Sequence, residues 1–412
     1  MIRPHFEATY RRLSQDGKPI LISGPRQSGK TTFAKSLLAA HGEGLYFNWD
    51  SHLDRARFVA DPLFFRSMDR RQSAPPLVVF DELHKWSGWK PYLKGLYDDY
   101  AKDWNFLVTG SGRLDLGKRT GEALTGRYMS LACFPLTLGE LSAGAESAAA
   151  GKTLRARLAE PFALQEHPNA RESWAWWQGL GRHSGFPEPF LRGEETFWRR
   201  WSDSFAAQIV REDMQGLHEL RRLDKLQLLL ALLPSRVGSP LSQQNLAQAL
   251  GVAFESVKAW LSLFEAFFLV FRIETYTRRI ARSILKEKKY YLFNVPEVQD
   301  PGARFENLVA LELLRSVTRA NQLGEGRFGL TYLKNKEQQE VDFLVTEGQE
   351  PALLIETKLS QDEPSPALMA FQRQLGVPAV QLVENRETWR RVPNGDHEVL
   401  VVAAHRWMNG LP

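Results

Sequence analysis

The sequence predicts a multidomain α/β protein: a parallel-sheet domain at the N-terminus, a helical middle with a winged-helix-like unit, and a second α/β domain at the C-terminus. Three observations carry this. The short apolar run Pro19–Ser23 leads directly into a glycine-rich loop and then a helix-forming stretch, Thr32–Ala40. Between Leu241 and Phe271 a short Ser-capped helix, a glycine turn and a longer apolar-periodic helix follow one another. Near the C-terminus, Glu340–Val345 and Leu353–Lys358 alternate as a strand pair around Gly348. A chain of 412 residues suits about two to four domains, and composition shifts place them at 1–140, 141–225, 226–285 and 286–412.

The first element is the most specific. Gly24-Pro25-Arg26-Gln27-Ser28-Gly29-Lys30-Thr31, followed by Thr32, is a complete G-x-x-x-x-G-K-T loop between a buried strand and a helix. Glycines let backbone N–H groups wrap phosphates, and the helix N-terminus adds its positive dipole end. Residues 24–32 are therefore expected to bind ATP, with Lys30 on the β- and γ-phosphates and the Thr31 hydroxyl on Mg²⁺. A second buried run, Leu77–Phe80, ends in Asp81 and Glu82. Open α/β sheets bind ligands at the carboxyl ends of their strands. Asp81 is thus expected to hold the Mg²⁺ and Glu82 to orient the attacking water. The third run, Asn105–Thr109, enters Gly110-Ser111-Gly112, where Thr109 and, by preference, Ser111 can sense the γ-phosphate. Leu45–Asp50 reads as the strand flanking the loop strand, with Asp50 in a structural role.

Composition limits the alternatives. A hydrophobic content of 43% with 25% charged residues is that of a globular protein,. The formal charge of +5 permits a polyanion partner without requiring one,. The single cysteine, Cys133, excludes an intrachain disulfide and a cysteine-rich metal site,. Met1–Gly24 has no apolar run of signal-peptide length before Arg11-Arg12,. The longest apolar runs, Leu226–Leu233 and Phe264–Phe271, fall far short of the roughly 20 residues of a membrane span,. A cytoplasmic location is the default expectation.

In the middle, Ser142–Gly151 is alanine- and glycine-rich and reads as a linker,. Trp174, Trp176, Trp177, Trp198 and Trp201 read as helix-packing anchors rather than base-stacking platforms,. Ser242 caps a helix Gln243–Leu250, Gly251 turns the chain, Phe254–Phe271 forms the second helix, and Arg272–Thr277 supplies a wing strand,. The second helix is apolar, with Lys258 as its one basic residue between Gly251 and Val270, so it is a poor reader of bases. The better DNA-backbone candidate is Thr277–Lys289, with Arg278, Arg279, Arg282, Lys286, Lys288 and Lys289,.

Lys289–Phe293 reads as a strand, Phe305–Leu314 as an amphipathic helix carrying Glu306, and the later strand pair carries Asp342, Glu356 and Lys358. Side chains two apart on a strand share a face, so Glu356 and Lys358 converge with Asp342 across the pair. This D…E-x-K set is the arrangement of restriction-endonuclease-like folds. In that chemistry Glu306, Asp342 and Glu356 bind Mg²⁺, and Lys358 orients or deprotonates the attacking water.

Together the segments GPRQSGKTT, LVVFDELHKWSGWKPYLKGLYD, FLVTGSGRLDL, LTGRYMSLACFPLTLGEL, SGFPEPF, FENLVALELL, EVDFLV and LLIETKLS resemble a group of bacterial and archaeal AAA+-type ATPases with a C-terminal restriction-endonuclease-like domain. The resemblance implies an AAA+-type domain over residues 1–140, homo-oligomerisation, and an arginine donated to the γ-phosphate of a neighbouring subunit. Arg127 matches the family's GR element and ranks first for that role, ahead of Arg113 and Arg211. Where relatives commonly carry Asp after the YYLF-type strand, this chain has Asn294, which removes one metal ligand. Two functions follow as expectations: an ATP-hydrolysing motor or remodelling factor whose C-terminal domain binds DNA and is a candidate for cleaving it, or a nucleotide-dependent switch in a toxin–antitoxin or defence system acting through protein partners.

Overall fold

The computed structural model describes residues 3–112, 126–142, 153–163, 170–214, 222–277 and 288–411. The chain divides into two compact units, Met1–Phe134 and Pro135–Pro412. The three segments expected after residue 140 thus lie in one unit.

The first unit is built on five parallel strands, β1 (Ile20–Ser23), β2 (Gly44–Asn48), β3 (Leu77–Asp81), β4 (Asn105–Gly110) and β5 (Met129–Ala132), in the order β2-β3-β4-β1-β5. Near-continuous apolar runs suit strands buried on both faces, and every residue of Leu77–Asp81 is buried. The register aligns Asn48 with Asp81, Asp81 with Thr109, and Ile22 with Thr109, so the carboxyl ends of β1 to β4 form one edge. One face packs an aromatic core of Phe47, Phe58, Phe64, Phe65, Phe80, Trp104 and Phe106. Burying each such ring stabilises by about 1.5–3 kcal/mol, and this packing fixes the edge that carries the site.

The second unit contains a nine-stranded sheet. In sheet order its strands are β13-β14-β12-β11-β10-β9-β7-β8-β6, where β6 is Pro240–Leu241, β7 Val270–Thr275, β8 Lys288–Leu292, β9 Phe328–Lys334, β10 Glu340–Glu347, β11 Glu350–Lys358, β12 Ala379–Val383, β13 Trp389–Asn394 and β14 His397–Ala403. The helix-turn-helix segment has the predicted caps: Ser242 accepts from the Asn245 N–H, and Gly251 ends the Gln243–Leu250 helix at φ 64°. The second helix is shorter than expected. Phe254–Ala266 ends in a turn through Phe268 at φ 55°, and Val270 already belongs to β7. An apolar run cannot by itself distinguish a buried helix from a buried strand, so the sequence pattern extends the helix past its true end.

β7 pairs antiparallel with β8 and parallel with β9. Strands on both sides of the expected boundary at residue 286 therefore form one sheet. The Glu306 helix is also longer than the expected Phe305–Leu314. It runs Pro301–Gln322, opened by Asp300 accepting from the Ala303 N–H and by Pro301 in its first turn, a common helix start. Between β11 and β12 lies the Pro366–Leu375 helix, capped by Ser365 and ended by Gly376. It packs Leu368 and Phe371 against Val341, Leu344, Leu354 and Val399. Trp177, Trp198 and Trp201 are buried, and Trp201 stacks on Phe205 at 4.7 Å. Among the described residues no helix is long and apolar enough to cross a membrane.

Candidate functional site

At the carboxyl edge of the five-stranded sheet, Gly24 follows β1 against the backbone of Cys133. A Cβ there would lie 2.2 Å from the Cys133 carbonyl oxygen, so only glycine passes. Gly29 has φ +94°, a left-handed conformation that favours glycine, and it opens the Lys30–His41 helix without any side-chain cap,. The first helical N–H groups consequently point into the loop, the arrangement that binds phosphate. Ser28 is buried and its carbonyl accepts from the Arg3 guanidinium at 2.9 Å. Arg3 also donates to the Cys133 sulfur and the Phe134 carbonyl, which braces the loop from below. Pro25 is buried, Arg26 half-buried, and Gln27 and Thr32 exposed.

Lys30 folds back so that its ammonium donates to the carbonyls of Gly24 at 3.0 Å and Pro25 at 2.6 Å. Burial pushes its pKa down against the opposing pull of Cys133, Glu82 and Asp81. Asp81 is buried, and among the described residues the hydrogen bonds to its carboxylate come from neutral hydroxyls. Thr31 donates at 2.8 Å and Tyr46 at 2.5 Å to Oδ2, while Thr109 donates to Oδ1. Glu82 takes the left-handed conformation at φ 57°. A non-glycine residue there is uncommon, and the turn aims Oε2 at the Ser111 hydroxyl, 3.1 Å away. His84 lies 3.6 Å and Lys85 3.8 Å from that same carboxylate. Lys85 also clasps Asp50 at 2.6 Å, in keeping with a structural Asp50. The donor set fits a magnesium–triphosphate ligand: hydroxyls around a carboxylate, an uncapped helix start and a folded lysine. Arg127 pairs with Asp98 at 3.0 Å, Arg211 is exposed, and Arg113 lies outside the described residues.

The C-terminal carboxylates also converge, but around protein cations. Lys289, on β8, is 1% exposed, and its ammonium lies 3.1 Å from Glu306, 2.6 Å from Glu340 and 3.8 Å from Asp342. Tyr291 donates to Glu306 at 2.7 Å. Lys358 is 2.7 Å from Glu356. Asp342 Oδ2 accepts from the Thr357 N–H at 2.9 Å and its hydroxyl at 2.6 Å. Burial, reinforced by Asp342, raises Glu306 to about 8 and Glu356 to about 7. Burial disfavours charge on Lys289, yet Glu306, Asp342 and Glu340 outweigh it and hold its pKa above the usual lysine value.

Two expectations are corrected here. The sequence places Lys289 in a phosphate-facing basic stretch. It is buried among carboxylates because alternation on β8 turns it inward, and Lys288 pairs with Glu274 at 3.0 Å. Arg278, Arg279, Arg282 and Lys286 lie outside the described residues. Secondly, the sequence pattern of Glu306, Asp342, Glu356 and Lys358 leads to the expectation of a Mg²⁺ site. Among the described residues no group of three or more His, Cys, Asp or Glu is arranged to hold a metal. The Lys289 ammonium takes the space between Glu306 and Asp342, so the donor set does not fit the ion. Asn294 is spent elsewhere, accepting from Trp198 at 3.1 Å and donating to Ser202 and Glu297. Tyr46, Lys289, Tyr291 and Glu340 were missed as site residues. Only the alternation of β2, β8 and β10 signalled them, and alternation names a face without naming its neighbours.

Residues 16–142 match the model of a family described as an AAA domain, residues 180–295 a domain of unknown function (DUF8612), and residues 301–403 another (DUF4143). The first unit is thus an AAA-type P-loop ATPase domain. Uncharacterized proteins of Mycobacterium bovis and Mycobacterium tuberculosis are each 29% identical over 172 residues, 42% of this chain and 36% of theirs. The match therefore spans little more than a third of those relatives. Among solved structures, a variant of Thermotoga maritima RuvB is 17% identical, covering 65% of this chain and 86% of its own at a TM-score of 0.29. Drosophila ORC bound to DNA is 12% identical, covering 69% and 91% at 0.28.

Proposed function

We propose that this chain hydrolyses ATP at the N-terminal site and, as an oligomer, uses the cycle to move along or remodel DNA. The observation that carries the hydrolytic part is the convergence of Lys30, Thr31, Asp81, Glu82 and Ser111 on one sheet edge. In this reading the loop N–H groups of residues 24–32 bind the phosphates, and Lys30 leaves the Gly24 and Pro25 carbonyls for the β- and γ-phosphates. Thr31 and Asp81 would hold Mg²⁺, which neutralises phosphate charge when bound. Glu82 orients the attacking water and takes its proton, and Ser111 couples that carboxylate to the γ-phosphate,. Arg127, freed from Asp98, completes a neighbouring subunit's site, with Arg113 and Arg211 as the other donors.

DNA enters through the basic stretch Arg278, Arg279, Arg282 and Lys286, which suits sequence-blind backbone contact,. The C-terminal domain, restriction-endonuclease-like in this reading, holds the DNA. The test is steady-state ATP turnover with single-stranded, duplex and branched DNA, using Lys30→Ala as the blank. Stimulation by any of them is expected, and turnover indifferent to all three ends the DNA part.

A second reading, a nucleotide-dependent switch acting on protein partners within a toxin–antitoxin or defence system, is favoured by one observation. The Phe254–Ala266 helix buries Val257, Trp260, Leu261 and Phe264, and its Lys258 is paired with Glu255. It predicts slow turnover and a partner retained only with ATP. Fast turnover by a protein recovered alone counts against it.

A further inference from the structure

We infer that Lys289 is a built-in replacement for the divalent cation of the C-terminal carboxylate cluster, so that this cluster is held together by the protein's own charge and takes up no metal. The inference stands whether or not the chain acts on DNA. The ammonium is within 3.1 Å of both Glu306 and Glu340 and faces Asp342 Oδ1 at 3.8 Å, with the Tyr332 ring 5.3 Å away. A Mg²⁺ ion needs about six oxygens at roughly 2.0–2.1 Å, and a fixed positive charge already stands where those carboxylates meet.

Other oxygens of the cluster also have protein partners. Glu306 Oε1 accepts from Tyr291, and a Cβ on Gly238 would come within 2.7 Å of Oε2, so backbone closes that side. Asp342 Oδ2 is taken by Thr357, and Glu356 by Lys358. Lys334 reaches Glu340 at 3.3 Å. Four carboxylates thus face three ammonium groups, Lys289, Lys334 and Lys358. Lys289 also ties β8, in the hairpin after the helix-turn-helix, to β10 and the Pro301–Gln322 helix. The cation therefore performs a joining task where a nuclease would perform a catalytic one.

The experiment is a Mn²⁺ titration of the nucleotide-free full chain, with free Mn²⁺ read by electron paramagnetic resonance. Wild type and Asp342→Asn are expected to bind the same amount of Mn²⁺. If Asp342→Asn binds one ion fewer, the inference is overturned. Lys289→Met is expected to gain one Mn²⁺ per chain, lost again in Lys289→Met/Asp342→Asn, with a melting temperature that rises on adding Mn²⁺. A folded Lys289→Met chain that gains no ion also overturns it. Should that variant not fold, the comparison of wild type with Asp342→Asn decides alone.

Discussion

The two clusters of acid and lysine at strand ends face the same electrostatic difficulty and resolve it in opposite ways. Around Asp81 the contacts are neutral hydroxyls, from Thr31, Tyr46 and Thr109, and the nearby lysine is turned onto its own loop carbonyls. Hydroxyl donors stabilise a carboxylate without cancelling its charge, so an incoming magnesium–phosphate still finds a negative partner. Around Asp342 the contacts include full ammonium charges, and the excess of acid is relieved by raised Glu306 and Glu356. Such a cluster has little left to offer a ligand. The lesson is that acidic residues at a strand end indicate chemistry only when their compensation is neutral or displaceable.

Four measurements break or sharpen this contrast. Glu82→Gln is expected to lower turnover by about 10²–10⁴-fold while ATP stays bound, the range for loss of a positioned acid–base group. Single-turnover kinetics with nucleotide retention checks it, and unimpaired turnover would remove Glu82 from the chemistry. Lys289→Met is expected to destabilise the second unit by about 3–5 kcal/mol, because it strands buried carboxylates. Lys30→Met loses the charged hydrogen bonds to two loop carbonyls, about 1.5–3 kcal/mol,. Urea unfolding of both variants tests the difference, and equal losses would erase the contrast.

Tyr46→Phe removes one hydroxyl from Asp81 and should raise the Mg²⁺ requirement of turnover roughly tenfold, about 1.5 kcal/mol for a hydrogen bond to a charged group. An unchanged Mg²⁺ titration would make Tyr46 packing only. A further effect belongs to a buried carboxylate outside both clusters. Glu312 accepts from the Leu138 N–H, and burial raises it to about 7. The folded state then holds the proton more tightly than the unfolded state between about pH 4.5 and 7. Stability should fall as pH rises through that window, by at most about 1.4 kcal/mol per unit. Glu312→Gln should flatten the slope, which pH-dependent denaturation measures.

Much of the first unit was legible because its signals are local. The strand, glycine loop and helix around Lys30 are contiguous, and the Asp81 and Ser111 strand ends each follow an apolar run. Tyr46 was not legible, since its meeting with Asp81 depends on which strand lies beside β3. In the second unit the helix caps at Ser242 and Asp300 could be read from residue type. The end of the Phe254–Ala266 helix could not, because unbroken apolar sequence satisfies a helix and a buried strand equally.

The sequence by itself determined the phosphate loop, the carboxylates that face it, and the strand alternation that brings Asp342, Glu356 and Lys358 to one place. These follow from backbone rules that act over a few residues. Only the tertiary structure decided what compensates each carboxylate. The partner of Glu306 is Lys289, seventeen residues earlier on a strand whose local pattern is equally compatible with facing solvent, and the partner of Asp81 is Tyr46 from a neighbouring strand. Charge compensation falls off over a few ångströms and ignores chain order, so strand order and burial set it, and local patterning does not.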